Sequence, residues 1–93
     1  MLLRFYYDPD TELPHIYKHS VNEQEVEDVL RLPLEDARTR RGRLAIGQTR
    51  AGRYLVVVYR PDEIGDGIFV VTAYDLRGKA LTAFRRRRRR RGQ

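Results

Sequence analysis

Runs of apolar side chains predict four β-strands. Leu2–Tyr7 is rich in aromatic and branched residues and is followed by Asp8-Pro9-Asp10, which favours a turn. Arg43–Thr49 alternates apolar with small or polar residues, Arg53–Arg60 is apolar on both faces, and Ile68–Tyr74 is another run of branched and aromatic residues. Because short connections separate the last three, we expect an antiparallel meander with Arg53–Arg60 as its central strand.

The strongest helix signals surround Asn22. This residue can cap a helix, and Glu25 lies three positions later as its capping-box partner. Val21 and Val26 have the spacing of a hydrophobic staple, and Pro33 marks the end of the segment. We expect this helix to dock its valine face on the sheet.

Two further segments are predicted to be helical. Thr11–Lys18 can form a short helix with Pro14 in its first turn, whereas Leu34–Arg43 is polar and is predicted to be a connector. After Asp75, apolar residues recur at helical spacing at Leu76, Ala80, Leu81 and Phe84. The predicted fold class is therefore α+β, with helices packed on a four-stranded antiparallel sheet in the order β-α-α-β-β-β-α.

The positive charge of the chain is concentrated in one run. The formal net charge is +6, but seven of the 17 arginines form Arg85–Arg91, and 12 basic and 13 acidic residues remain without them. A uniformly basic nucleic-acid binder is thereby excluded. Because like charges at i and i+4 oppose a helix, we expect one domain over residues 1–84 and a disordered arginine-rich tail over residues 85–93.

Composition also bounds the class and location of the protein. The absence of cysteine excludes disulfides and thiolate metal sites and fits a reducing compartment. No apolar run approaches the roughly 18 residues that span a bilayer, and the N-terminal segment turns acidic too early for a signal peptide. We therefore expect a cytoplasmic protein without membrane association.

Several short strings, in order along nearly the whole chain, resemble the BrnT-like toxin family. No single string is specific to the family, but their order along the chain is more specific than any one of them. The strings are Tyr7-Asp8-Pro9-Asp10, His15-Ile16-x-Lys18-His19-x-Val21, Glu25-Val26, Gly47-Gln48-Thr49-x-x-Gly52-Arg53-Tyr54-Leu55 and Thr72-Ala73. The resemblance implies a RelE-like fold and a ribonuclease of a type II toxin–antitoxin system. It also implies RNA as the substrate, free or on the ribosome, and a ribbon-helix-helix antitoxin as the protein partner.

The chain departs from the family at three polar positions. Tyr74, Ala80 and Phe84 stand where the family has Arg, Glu and Tyr. Cleavage of RNA without a metal needs a base for the 2′-hydroxyl proton, an acid for the leaving oxygen and a cation on the phosphate. Either other residues supply these groups, or this branch is a non-enzymatic module that binds nucleic acid or protein.

Four residues are candidates for catalysis. His15 and His19 are four positions apart, so on a helix they share a face and suit two proton-transfer groups, while no third metal ligand accompanies them. Lys18 and His19 match the family's Lys-His pair, and Tyr74 can donate to a phosphate or stack on a base. The simpler alternative is that the histidines end a surface helix and Tyr74 packs on the C-terminal helix.

Basic side chains are the candidates for phosphate binding. A guanidinium can hold a phosphate with two hydrogen bonds, and a row of them releases counterions from nucleic acid without choosing a sequence. The candidates are Arg53, Arg60, Arg77, Lys79, Arg85, Arg86, Arg87 and Arg88. Solubility or an acidic protein partner are the alternatives for these charges. No cofactor or metal is predicted, and exposed sheet edges leave room for a homodimer.

Overall fold

A computed structural model, which describes residues 1–91, shows one mixed sheet with helices on both faces. The elements in chain order are β1 (Leu3–Phe5), a 3₁₀ helix (His15–His19), α1 (Glu23–Arg31), β2 (Glu35–Thr39), β3 (Gly42–Gln48), β4 (Tyr54–Pro61), β5 (Ile68–Asp75) and α2 (Gly78–Arg91). The predicted α+β class is confirmed. Among the described residues, no helix combines the length and apolarity needed to cross a membrane.

The sheet has five strands in the order β1-β5-β4-β3-β2. Strands β2 to β5 are antiparallel neighbours, whereas β1 runs parallel to β5 with Leu3 opposite Ile68. The predicted meander with a central Arg53–Arg60 strand is confirmed, because β4 lies in the middle of the sheet. The prediction of an antiparallel sheet of four strands is wrong, because β1 joins in parallel and β2 adds a fifth strand.

Strand β2 lies in the polar segment that was predicted to be a connector. Four of its five residues are exposed, and its ladder pairs Glu35 with Ile46 and Thr39 with Gly42 on β3. An edge strand needs few apolar side chains, since its backbone bonds hold it on one side and water covers the other. The apolar pattern therefore gives no sign of this strand.

One face of the sheet is covered by the 3₁₀ helix and α1. Asn22 accepts a hydrogen bond from the Glu25 amide at 2.9 Å, and the Glu25 carboxylate accepts from the Asn22 amide at 3.0 Å, so the predicted capping box is confirmed. The core beneath these helices consists of buried apolar residues: Ile16, Val21, Val26, Val29, Ala45, Leu55, Val57, Val70 and Ala73. Helix α1 approaches the sheet so closely that a Cβ on Gly47 would lie 3.0 Å from a Val29 methyl group.

The opposite face carries α2. Phe84 is its buried residue, and its ring lies 5.8 Å from the Tyr54 ring in a second apolar cluster with Ile46, Val56 and Leu76. The helix continues through Arg85–Arg91, where the sequence predicts a disordered tail. Arg87 donates two hydrogen bonds of 2.8 Å to Glu35, which offset part of the repulsion between neighbouring arginines. Gln93 and Gly92 of the predicted tail lie outside the described residues.

Candidate functional site

An open cleft of about 360 Å³ lies where the 3₁₀ helix ends beside the last residues of β5. Its walls are formed by Lys18, His19, Ser20, Tyr74, Asp75 and Arg77. The structure therefore brings together three of the candidate catalytic residues, Lys18, His19 and Tyr74, and Arg77, one of the candidate phosphate-binding arginines. These residues come from opposite ends of the chain, and the packing of the 3₁₀ helix on β5 joins them.

Four aromatic rings follow one another from β1 into this cleft. Ring centroids are 5.9 Å apart between Tyr6 and His15, 5.4 Å between His15 and His19, and 6.0 Å between His19 and Tyr74. We call Tyr6, His15, His19 and Tyr74 the aromatic row. A backbone hydrogen bond of 2.8 Å from the His15 amide to the Tyr6 carbonyl fixes its first step. The predicted pairing of the two histidines occurs on a 3₁₀ helix rather than on an α-helix.

Asp8 lies beneath the row as a buried carboxylate. It pairs with the Lys18 ammonium at 2.6 Å, lies 3.3 Å from Nδ1 of His15, and accepts a hydrogen bond of 3.0 Å from the Asp10 amide. The hydrogen bond from Lys18, followed by that from Asp10, lowers the pKa of Asp8 to about 2. This carboxylate therefore orients two candidate catalytic side chains while it stays ionised.

Sequence reasoning assigned Asp8 only a turn. The residue occupies a loop that folds back on itself, with the Asp8 amide bonded to the Leu13 carbonyl at 2.8 Å and a bridge between Tyr7 and Pro14. A carboxylate between an aromatic strand and a proline was the available signal, but its burial depends on this tertiary folding.

Arg53 lies behind the cleft and is engaged with protein groups on every side. It donates to Asp75 at 2.6 Å, to Glu25 at 3.1 and 3.2 Å, to the Ser20 carbonyl at 2.7 Å and to the His19 carbonyl at 3.3 Å. The hydrogen bond from Arg53 is the main reason that the pKa of Asp75 is lowered. Arg53, a candidate for phosphate binding, thus holds the backbone that carries His19.

The other predicted phosphate ligands are distributed over the molecule. Arg77 reaches the cleft, where it pairs with Asp75, whereas Arg60 stacks over the Phe69 ring at 4.9 Å near the opposite end of β4. Lys79 is exposed on the first turn of α2. Four further candidates follow on α2, where Arg85 and Arg86 are exposed, Arg87 pairs with Glu35, and Arg88 donates to the Leu34 carbonyl at 3.2 Å.

Charge in the cleft is arranged with cations outside and carboxylates inside. The side chains of Lys18 and Arg77 are 47% and 80% exposed, whereas those of their partners Asp8 and Asp75 are 7% and 21% exposed. An anion that approaches from solvent meets the cations first, and the guanidinium of Arg77 keeps free donors for it. The cleft therefore suits a phosphate group that lies next to His19 and Tyr74, two side chains that can transfer protons.

Within residues 1–91, no three His, Cys, Asp or Glu side chains are grouped so that they could hold a metal ion. Comparison of the chain with protein-family models, with curated proteins and with solved structures finds no match.

Proposed function

We propose that this chain is a BrnT-like, toxin-type RNA-binding protein that cleaves RNA without a metal ion. The observation that supports the proposal is the convergence of His19, Tyr74 and Arg77 in one open cleft, with Lys18 at its rim. The three polar groups of the family that are missing at Tyr74, Ala80 and Phe84 are replaced, in this proposal, by residues of the cleft.

Each side chain has a defined role in the proposed reaction. His19 takes the proton of the 2′-hydroxyl, whose oxygen bonds to the adjacent phosphorus while the bond to the 5′-oxygen breaks. The phenol of Tyr74 gives its proton to that leaving oxygen, and water returns the proton from His19 to Tyr74. Arg77 stabilises the charge on the phosphorane oxygens. The products are a 2′,3′-cyclic phosphate and a 5′-hydroxyl end.

Lys18 supplies charge rather than a proton. Its hydrogen bond to the carboxylate of Asp8 raises the pKa of the ammonium group, so Lys18 stays protonated throughout the reaction. An ammonium group held in this way contributes electrostatic stabilisation at the phosphate. His15, whose ring contacts that of His19, fixes the orientation of the catalytic imidazole.

The test is cleavage of a short RNA by the purified protein in the presence of a chelator. We expect cyclic-phosphate products, a loss of roughly 100- to 10,000-fold in rate for His19→Ala and a comparable loss for Tyr74→Phe. Tyr17→Phe is the matched control, because it removes the same hydroxyl from a tyrosine that is bonded instead to Glu23. RNA that stays intact with and without ribosomes would show that the enzyme proposal is wrong.

The proposed biological role is that of a cytoplasmic toxin held in check by a ribbon-helix-helix antitoxin. The motif resemblance supports this role. Expression of the chain alone should arrest growth, and co-expression of a ribbon-helix-helix protein encoded beside it should restore growth. His19→Ala is the control for toxicity that depends on the cleft, since it leaves the rest of the surface unchanged.

A second candidate function is non-enzymatic binding of nucleic acid through α2. Arg87, Arg88 and Arg91 lie three, four and seven positions after the buried Phe84 and so face the protein. Arg87 contacts Glu35 of β2, and Arg88 contacts the Leu34 carbonyl just before that strand. Arg85, Arg86, Arg89 and Arg90 then form an exposed arginine face on the other side of the helix. Tight binding that leaves RNA intact and requires this arginine face would favour the second function.

A further inference from the structure

We infer that the aromatic row is a platform on which successive bases of single-stranded RNA stack, so that the substrate of the cleft is unpaired RNA. The inference rests on the proposed function, since it extends the binding site for the same ligand beyond the reacting phosphate. It adds Tyr6, which lies outside the cleft and has no part in the proposed chemistry.

The spacing of the rings decides between single-stranded and double-stranded ligands. Successive centroids are 5.4 to 6.0 Å apart, whereas the bases of a stacked strand rise only about 3.4 Å per nucleotide. A duplex cannot place a base on each ring, because its bases are already stacked on one another. An extended single strand with splayed bases can do so.

The rings also have surface available for bases. Tyr6 is 43% exposed and Tyr74 37% exposed, and His19 is exposed at the mouth of the cleft. The interplanar angles of 56° to 70° show that Tyr6 and His15 are tilted and that the other two pairs meet edge to face, so no two neighbouring rings of the row are stacked face to face. Tyrosine and histidine faces of this kind are used by proteins that recognise single-stranded RNA.

The basic residues lie where the backbone of such a strand would run. Lys18 follows Tyr17 on the same 3₁₀ helix as His15 and His19, and Arg77 lies just beyond Tyr74 at the other end of the row. A strand that stacks on the row therefore passes two exposed cations. The combination of a cationic border with aromatic faces is the usual arrangement for binding single strands with little sequence preference.

Binding of a fluorescent 2′-O-methyl RNA octamer tests the inference without cleavage, because this probe lacks the attacking hydroxyl. We expect Tyr6→Leu to weaken binding by about tenfold, since it removes one stack between a base and an aromatic ring, and Tyr6→Phe to bind like the unaltered chain. Tyr7→Leu is the matched control, because Tyr7 is 58% exposed but lies outside the row. Thermal unfolding of all variants checks that the fold is retained.

Two further probes separate stacking from charge. An abasic octamer keeps the phosphates, so it should bind more weakly than the normal octamer and should be insensitive to Tyr6→Leu. The duplex of the same sequence should bind less tightly than the single strand. Equal affinity of Tyr6→Leu and the unaltered chain for the octamer, or equal affinity for duplex and single strand, would overturn the inference. Binding that depends on Tyr6 in a protein that leaves RNA intact would support the platform while removing the nuclease proposal.

Discussion

At the scale of single residues, the site depends on two groups that point into the protein. Asp8 fixes the positions of His15 and Lys18, and Arg53 ties the carbonyls of His19 and Ser20 to β5 and α1. Both side chains are engaged with protein groups, so any effect of theirs on the proposed chemistry is exerted through their neighbours. Substitutions at these positions are expected to change stability and the geometry of the cleft together.

Replacing Arg53 should destabilise the fold and loosen the end of the 3₁₀ helix. The side chains of Arg53, Glu25 and Asp75 are 27%, 21% and 21% exposed, so Arg53→Ala leaves two half-buried carboxylates without their main partner. We expect a loss of about 2 kcal/mol in the free energy of unfolding, measured by urea denaturation.

Arg53→Lys tests whether the shape of the guanidinium matters as well as its charge. An ammonium group cannot reproduce the forked contacts with Asp75 and two carbonyls, so we expect lysine to recover only part of the loss. Arg50→Ala serves as the control, because the Arg50 side chain is 83% exposed and its removal should cost at most about 0.5 kcal/mol. A lysine variant as stable as the unaltered chain would contradict the role given to the fork.

Asp8 should make the protein sensitive to acid. Its pKa is about 2 in the folded chain, below its ordinary value of 3.8, so between those values the unfolded chain binds more protons than the folded one. Stability is therefore fully present above about pH 4 and is lost as the pH falls toward 2. The measurement is the urea midpoint as a function of pH.

Asp8→Asn should reduce, but not abolish, the fall of the urea midpoint as the pH decreases below about 4. Asp62, whose pKa is also about 2 because of its hydrogen bond from Arg4, contributes in the same window. Asp66→Asn, which alters an exposed carboxylate in the β4–β5 loop, should leave the profile as it is. An unchanged slope in Asp8→Asn would show that the lowered pKa of Asp8 does not contribute to stability.

At the scale of elements, the sequence predicts the helices and strands whose formation is determined by residues close together along the chain. The capping box at Asn22 and the central strand β4 are visible as residue patterns, and both were predicted. The parallel position of β1 depends on β5, whose partner residues lie far away along the chain. Strand β2 has no apolar pattern. The helical form of Arg85–Arg91 is supported by contacts of Arg87 with Glu35 and of Arg88 with the Leu34 carbonyl, which the sequence of neighbouring arginines does not indicate.

The candidate site also contains residues that local patterns indicate and residues whose positions depend on tertiary contacts. His19, Lys18 and Tyr74 could be proposed from their residue types and motifs, and the structure places them together. The positions of Asp8 and Tyr6 depend on a folded loop and on a neighbouring strand, so the local pattern around Asp8 indicates only a turn. Arg53 had the right chemistry for a phosphate, but the carboxylates that occupy it come from two other elements.

Helix α2 should detach from the sheet when Phe84 is shortened. Phe84 is 2% exposed and is the buried residue of α2, so Phe84→Ala should cost roughly 3 kcal/mol at this contact. Because trypsin cleaves after arginine in open segments, we expect digestion of Arg85–Arg91 to be faster by about two orders of magnitude. Thr82→Ala, on the exposed side of α2, is the control. Equal digestion rates would show that Phe84 does not anchor the helix.

At the scale of the whole molecule, the excess positive charge is concentrated on helix α2. The chain measures 43 × 26 × 25 Å, and the seven arginines carry the whole positive surplus while the remainder is nearly neutral. Helix α2 begins beside the cleft at Gly78 and reaches β2 at Arg87, a path that crosses one face of the sheet. Any contribution of bulk charge to nucleic-acid binding must therefore come from α2.

The dependence of nucleic-acid affinity on salt concentration measures the contribution of the charge on α2. Replacement of the arginine face, Arg85, Arg86, Arg89 and Arg90, by glutamine should reduce the slope of log K against log salt by roughly 3, at about 0.7 per phosphate of a single strand. The matched control removes the same charge from Arg38, Arg40, Arg41 and Arg50, which are exposed on β2 and on the connections at both ends of β3. An equal change of slope in both variants would show that binding responds only to net charge.

The parallel pairing of β1 with β5 also affects the order in which parts of the protein fold. Tyr6, whose amide donates to the Val70 carbonyl at 2.9 Å, cannot take its native position before β5 exists. Contacts between residues so distant along the chain form late, because a long loop must close first. During refolding, pulsed hydrogen exchange should find the Tyr6 amide protected after the amides of β4, and simultaneous protection would contradict this order. A chain still emerging from the ribosome therefore has no assembled cleft until synthesis has passed β5, because Tyr74 and Asp75 of that strand form part of its wall.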